Sequence, residues 1–373
     1  MSSDAPRIVR SLSPGALDPA GHERATHCRL VERVAELLGL PQGAELLVRH
    51  IDPAASMAPT YFVPLQTITT ALASACGIHG EDDLFGGVVP HRHVGTKLIT
   101  HGLVSPGSSA PGGWSTPFAQ AVEHVVLRGY SVFEGDDLRR AAALLFADGE
   151  VRFKQPGGIG GEGQQVVASP EQLAVACAAT DDAAVSHDGL VVEQNLSGVT
   201  TLSVGQVELA GIRMSYVGRQ ELTPNHQGSP VYGGSELWCV RGDFDALDAF
   251  EPDARLALAI RQARTYHEAA LRSFPGIVLS RANYDVAQGT DAKGNWCSGV
   301  LEQSWRVGGA SAAEIEAVAV LMQQPRRQRV RARTVERYGD AVAPAGAFVL
   351  FQGDDPRHGR MLKYAQVIPD ATA

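Results

Sequence analysis

Five glycines fall within seven residues, Gly157 to Gly163, in the stretch VRFKQPGGIGGEGQQVV. Glycine at that density costs backbone entropy, so a chain keeps it where side chains must stay out of the way. One use is close approach of backbone N–H groups to an anion, phosphate above all. Another is a mobile surface hairpin without a ligand. The flanks narrow the first option. A dinucleotide fingerprint or a GxxxxGK(S/T) loop lies between a strand and a helix. Here Gln164-Gln165-Val166-Val167 reads as a strand. The next helix opens only at Ser169-Pro170-Glu171-Gln172, with Ser at the N-cap and Pro at the first helical position. Lys154 precedes the glycines instead of following them. The pattern predicts strand, glycine-rich turn, strand, helix, and both readings of the turn stay open on this stretch alone.

The chain has 373 residues, room for two or three packed subdomains with a sizeable core. Its 32 basic and 41 acidic residues give a net charge of −9, which argues against nucleic-acid or anionic-membrane partners. Cys28, Cys76, Cys177, Cys239 and Cys297 are widely spread with no CxxC pair, as expected of free thiols in a reducing compartment. The start, MSSDAPRIVRSLSPG, has no apolar core of signal-peptide length, and no run of about 18 apolar residues occurs. The expectation is a cytoplasmic protein.

Composition and periodicity divide the chain into a small α/β unit over 1–90, a larger body over 91–325 and a tail over 326–373. In the first unit Leu30, Val31, Val34, Leu37 and Leu38 repeat at helical spacing up to Gly39, and Leu46-Leu47-Val48 reads as a strand. In the second, Asp253 to Phe274 reads as a long helix. Val199 to Arg219 reads as two strands with Gly205 and Gly211 near the turns. Ser311-Ala312-Ala313-Glu314 reads as a capping box. The arginines at 326, 327, 329, 331 and 333 read as a solvated or ion-paired face. His91, His93 and His101 have no cysteine or carboxylate partner at ligand spacing, so they are not read as a metal site. The polar, aromatic segment Tyr216 to Trp238 is either a connecting loop or a surface where His226, Arg219 and Tyr232 face a substrate.

A second constellation lies between Asn283 and Arg306. Asn283-Tyr284-Asp285-Val286 and Gly299 through Arg306 flank the turn-rich Gly289 to Asn295, which predicts a β-hairpin. Asp285 and Glu302 are equidistant from the Lys293–Gly294 link, so they fall roughly opposite one another, with Cβ atoms about 5 Å apart. Like charges so placed destabilise a sheet unless a cation lies between them, and Mg²⁺ is held by one or two carboxylates plus water and phosphate. The alternative is two carboxylates on a solvated face. Arg306 supplies a fixed positive charge suited to phosphate or carboxylate, or a surface ion pair.

A Lys before a glycine-rich hairpin, a strand ending in Glu-x-x-Leu, then Asp and Glu-x-x-x-Arg on a late hairpin resemble, in that order, the ATP-grasp superfamily. The resemblance covers roughly 91–324, and the later motifs resemble a bacterial branch of it known as a domain of unknown function. It implies an α/β (α+β) chain: an ATP-grasp fold over 91–325, with a lid subdomain at about 128–192, preceded by the small α/β domain. It implies ATP and Mg²⁺, with Mn²⁺ as a substitute. Lys97 matches the first phosphate-contacting lysine and Lys154 the second, on the lid strand. Gly157, Gly158, Gly160, Gly161 and Gly163 match the lid loop. Glu193 and the backbone of Gln194 and Leu196 match the purine hinge. Asp285 and Glu302 match the metal ligands. The superfamily usually has Glu-x-Asn-x-Arg, and Ser304 replaces that Asn. Arg306 matches the arginine beside the γ-phosphate or acyl phosphate, so Arg306 and Lys154 stand as catalytic. The implied reaction joins a small-molecule or peptide carboxylate to an amine or thiol, giving ADP and phosphate. The alternatives are a small-molecule kinase on the same fold and a non-catalytic ATP-binding protein. Many members of the superfamily are dimers, so a homodimer is the implied assembly.

Overall fold

A computed structural model describes residues 6–15, 17–52, 58–158, 163–249 and 253–369. It is a mixed α+β structure. The first strand, Ile8–Ser13, lies between Leu46–Leu47 and Thr60–Pro64 in a parallel three-stranded sheet. The helix His22–Leu38 covers it and ends at Gly39, burying Leu30, Val31 and Val34 against Val9, Tyr61 and Val63.

The largest element is an eight-stranded sheet. Its order is Trp296–Ser304, Arg281–Thr290, Ser197–Leu209, Ile212–Pro224, Pro230–Arg241, Arg329–Tyr338, Gly359–Ile368 and Phe348–Asp355, with every neighbouring pair antiparallel. The helix Ala254–Ser273 packs a face of Ala259, Ile260, Ala263 and Tyr266 against it, and Asp253 caps its first turn. The tail thus contributes three strands to this sheet. Arg331 within the arginine run pairs with Glu236 and lies over the Trp238 ring, so it is an ion-paired position.

A four-stranded antiparallel sheet in the order Gly129–Val132, Leu190–Gln194, Val151–Lys154, Gln164–Val167 carries the glycine-rich stretch. The expected strand, turn, strand, helix layout is the observed one: Lys154 pairs with Gln164, and Ser169 Oγ accepts from Gln172 N at the start of Pro170–Ala179. Helix Gly135–Phe146 seals this sheet with Leu138, Ala141, Ala142 and Leu145.

Three expectations are corrected. Gly205 is not at a turn but mid-strand, directly opposite Tyr216. A Cβ there would lie 2.3 Å from Tyr216 Oη and 2.4 Å from the Ala282 carbonyl, so glycine makes room for the tyrosine. Ser311 and Glu314 form no capping box. The helix Ser311–Gln323 has Ala310 at its N-cap without a side-chain bond, because Glu314 is engaged elsewhere. Tyr216 to Trp238 is not a loop but two long paired strands joined by a short turn at 225–229. Among the described residues no helix is long and apolar enough to cross a membrane.

Candidate active site

Two lysines, each buried, sit opposite two carboxylates. Lys97 lies in a short 3₁₀ turn, Lys97–Thr100, that Thr96 caps. Its Nζ is 3.0 Å from Glu302 Oε2 and donates to the Gly158 carbonyl at 3.0 Å. It therefore ties the glycine-rich turn to the far hairpin. A boundary lysine is ordinarily solvated, but this one is only 2% exposed.

Lys154, on the strand before the glycines, pairs with Glu193 on the adjacent strand, Nζ to Oε1 at 2.5 Å. The second Glu193 oxygen meets His101 Nε2 at 3.0 Å. Burial disfavours the Glu193 carboxylate, but Lys154 and His101 outweigh it and hold the group down at about 2. Glu193 is therefore an ionised, fully enclosed partner of Lys154. Gln194 lines a cavity of about 230 Å³ with Arg128, Asp148 and Lys293. Leu196 packs its side chain against Leu127 and Ala287.

Gly157, Gly158 and Gly163 frame the turn. Gly163 has φ +66, and its carbonyl accepts from Gln155 N at 2.8 Å, closing the hairpin. Gly160 and Gly161 lie outside the described residues.

In the late hairpin, Asp285 and Glu302 are register partners, as expected, although a register shift between Asp285 and Val286 interrupts the ladder that runs to the turn. They do not lie on a freely solvated face. The Asp285 Oδ1 atom accepts from Gln220 Nε2 and from the Asn283 side chain, both at 2.9 Å. Burial, then the facing Glu302 charge, push the Asp285 carboxyl up to about 6, against the pull of Asn283, Arg281 and Lys97. Glu302 keeps 28% of its side chain exposed, so a ligand can reach it.

Arg306 follows the end of the strand Trp296–Ser304. Its Nη1 donates to the neighbouring Val307 carbonyl at 2.8 Å, and it makes no ion pair among the described residues. Burial lowers its pKa, partly offset by Glu302; a guanidinium remains charged regardless. The Ser304 hydroxyl lies 3.5 Å from Arg281 Nη1, and its carbonyl accepts from the same nitrogen at 2.9 Å.

Beneath the hairpin runs a buried network that motif reading missed. Arg281 clamps Glu314 with Nε and Nη2, both at 2.8 Å, and the two side chains are 1% and 0% exposed. Tyr216 Oη meets Glu314 Oε1 at 2.5 Å and the Asn283 side chain at 2.9 Å. Asn283 stands opposite Ser304 and two residues from Asp285, on the same face. That alternation was readable in the sequence. The roles of His101, Gln220 and Glu314 had no local signal. The other segment singled out, with Arg219, His226 and Tyr232, is spread out: Arg219 pairs with Asp253, His226 meets the Arg360 carbonyl, and Tyr232 meets Ser235.

Fold and site define a mixed α+β protein in which two buried lysines face carboxylates, one enclosed at Glu193 and one partly exposed at Glu302. The chain belongs to the family described as Protein of unknown function (DUF3182), which matches residues 12–365. No curated protein matches it. Among solved structures it is similar to an ADP complex of N5-carboxyaminoimidazole ribonucleotide synthetase, at 11% identity and TM-score 0.46, over 97% of this chain and 92% of the other. It is also similar to D-alanyl-alanine synthetase A from Vibrio cholerae, at 12% identity and TM-score 0.47, over 81% and 90%. A third is phosphoribosylamine–glycine ligase from Thermotoga maritima, at 14% and 0.47, over 96% and 91%.

Proposed function

We propose that this chain is an ATP-grasp ligase that activates a carboxylate as an acyl phosphate and joins it to an amine or thiol, releasing ADP and phosphate. The observation that carries this reading is Lys97, whose ammonium touches both Glu302 and the glycine-rich turn. A triphosphate under that turn needs positive charge at both places, and the chain brings the turn, the lysine and a facing carboxylate pair together.

The donor set fits a hard divalent cation. Asp285 and Glu302 face each other, Glu302 is reachable, and oxygen ligands of this kind suit Mg²⁺ or Mn²⁺. When bound there, the cation would neutralise phosphate charge. The remaining work is positioning and electrostatics. Lys97 and Lys154 offset phosphate charge, with Glu193 holding Lys154 in place. Arg306 stabilises charge on the transferring phosphoryl group and the acyl oxygens. A substrate carboxylate oxygen takes the γ-phosphoryl group and ADP leaves. The amine nitrogen then attacks the acyl carbon, loses its proton, and phosphate departs. No side-chain nucleophile is needed.

Incubation with MgATP and panels of carboxylates and amines tests this. Product, ADP and phosphate should appear in equal amounts, and both Lys154→Ala and Glu302→Ala should abolish them. A kinase would yield ADP without free phosphate. Unchanged turnover in both variants refutes the reading.

A further inference from the structure

The turn that carries Lys97 is tied to the strand of Glu302 a second time, from that strand's other face. Gln303 follows Glu302, so its side chain points the opposite way, and it is buried. Its Nε2 donates to the Val94 carbonyl at 2.8 Å and to the Thr96 carbonyl at 2.7 Å. Thr96 caps the 3₁₀ turn Lys97–Thr100, and its carbonyl belongs to the peptide unit leading into Lys97. Both partners are acceptors only, so the amide end that faces them is the NH₂. At the other end Gln303 Oε1 accepts from Tyr266 Oη at 2.9 Å. That hydroxyl has one proton, so the Thr100 hydroxyl, 3.1 Å away, donates to it in turn. Thr100 is the last residue of the same turn. The Gln303 amide is therefore satisfied at both ends, fixed in orientation, and linked to the start and the finish of the Lys97 turn.

Such a short turn cannot hold its own place, because 3₁₀ hydrogen bonds have poor geometry. Yet Lys97 Nζ stands 3.0 Å from both Glu302 Oε2 and the Gly158 carbonyl. A displacement of about 1 Å breaks contacts of that length, and misplacement on this scale can cost about 100-fold in rate. The strand Trp296–Ser304 is an edge of the eight-stranded sheet, and it grips the turn from both of its faces: Glu302 takes the ammonium and Gln303 takes the backbone. We infer that Gln303 is a positioning residue of the nucleotide site, whose amide sets where the Lys97 ammonium stands relative to Glu302. Tyr266 fixes which end of that amide faces the turn. The inference rests on the proposed role of Lys97 toward phosphate.

The test is a double-mutant cycle in the full-length protein, read as affinity for ADP with Mg²⁺ by competition titration up to millimolar ADP. Gln303→Leu removes the amide and keeps most of the bulk. It should weaken binding by about tenfold or more, the scale of losing a partner that orients a ligand-holding side chain. In a Lys97→Met background the same change should cost less than about twofold, because no ammonium is left to misplace. Tyr266→Phe keeps the ring and removes only the hydroxyl. It should cost about threefold, again only when Lys97 is present, and it decides the matter if Gln303→Leu does not fold. A loss of equal size in both backgrounds, or no loss from Gln303→Leu in a folded protein, overturns the assignment and leaves Gln303 a support of the fold alone. Equal affinity of wild type and Lys97→Met, or no ADP binding by wild type, instead overturns the reading of Lys97 on which the assignment rests.

Discussion

The ammonium of Lys97 lies 3.0 Å from Glu302 Oε2, joining a 3₁₀ turn early in the chain to a hairpin strand some 200 residues later. The pair carries two consequences. Lys97→Ala removes the charge that compensates Glu302 and Asp285, and it frees the Gly158 carbonyl. We expect ATP-dependent turnover to fall by about 100-fold or more in kcat/KM, the scale of losing a preorganised charge. Steady-state kinetics with saturating acceptor would show it.

Arg281 and Glu314 form a fully buried ion pair, and removing one partner of such a pair leaves an uncompensated charge. Arg281→Met should destabilise the protein by about 3–5 kcal/mol in denaturant unfolding. Arg281→Met with Glu314→Leu should recover part of that loss, since neither charge is then stranded.

Gly205→Ala places a methyl group 2.3 Å from Tyr216 Oη and 2.4 Å from a backbone carbonyl. Over-packing of that kind costs about 1–3 kcal/mol, and chemical denaturation should record it. Gly211→Ala meets no neighbouring atom, but its φ of +73 strains any other residue, so its loss should be smaller and purely conformational.

Asp285 predicts a pH dependence of the metal-free protein. Burial and Glu302 raise its folded pKa to about 6, above the ordinary carboxylate value near ~4. The charged form is therefore penalised on folding. The penalty is full above pH 6, shrinks as the pH falls from 6 towards 4, and is absent below the unfolded value. Asp285→Asn should raise metal-free stability at pH 8, by on the order of 2 kcal/mol, and have little effect at pH 4. Equal effects at both pH values would refute the assignment.

Local patterns foretold the features that depend on local geometry. The glycine-rich hairpin followed from two apolar runs and a turn. The facing of Asp285 and Glu302 was expected from counting outward from the turn, but it is reached through a register shift between Asp285 and Val286 that such a count does not foresee. Two errors share a cause: Gly205 and the Ser311–Glu314 motif carry familiar short-range signals, but distant residues decide their roles. Tyr216 needs the space above Gly205, and Arg281 captures Glu314 from 33 residues away. The enclosure of Glu193 between Lys154 and His101 was not readable either, because it requires knowing which strands are neighbours and that a histidine 92 residues earlier folds beneath them.

Calorimetric titration of ADP, with and without Mg²⁺, into wild type and Glu302→Gln tests the central claim most directly. The account predicts ADP binding that is strengthened by Mg²⁺ in wild type, with the Mg²⁺ contribution lost, by about tenfold or more in affinity, in Glu302→Gln. Absence of ADP binding, or a Mg²⁺ effect of equal size in the two proteins, would contradict a nucleotide site built on the Asp285 and Glu302 pair.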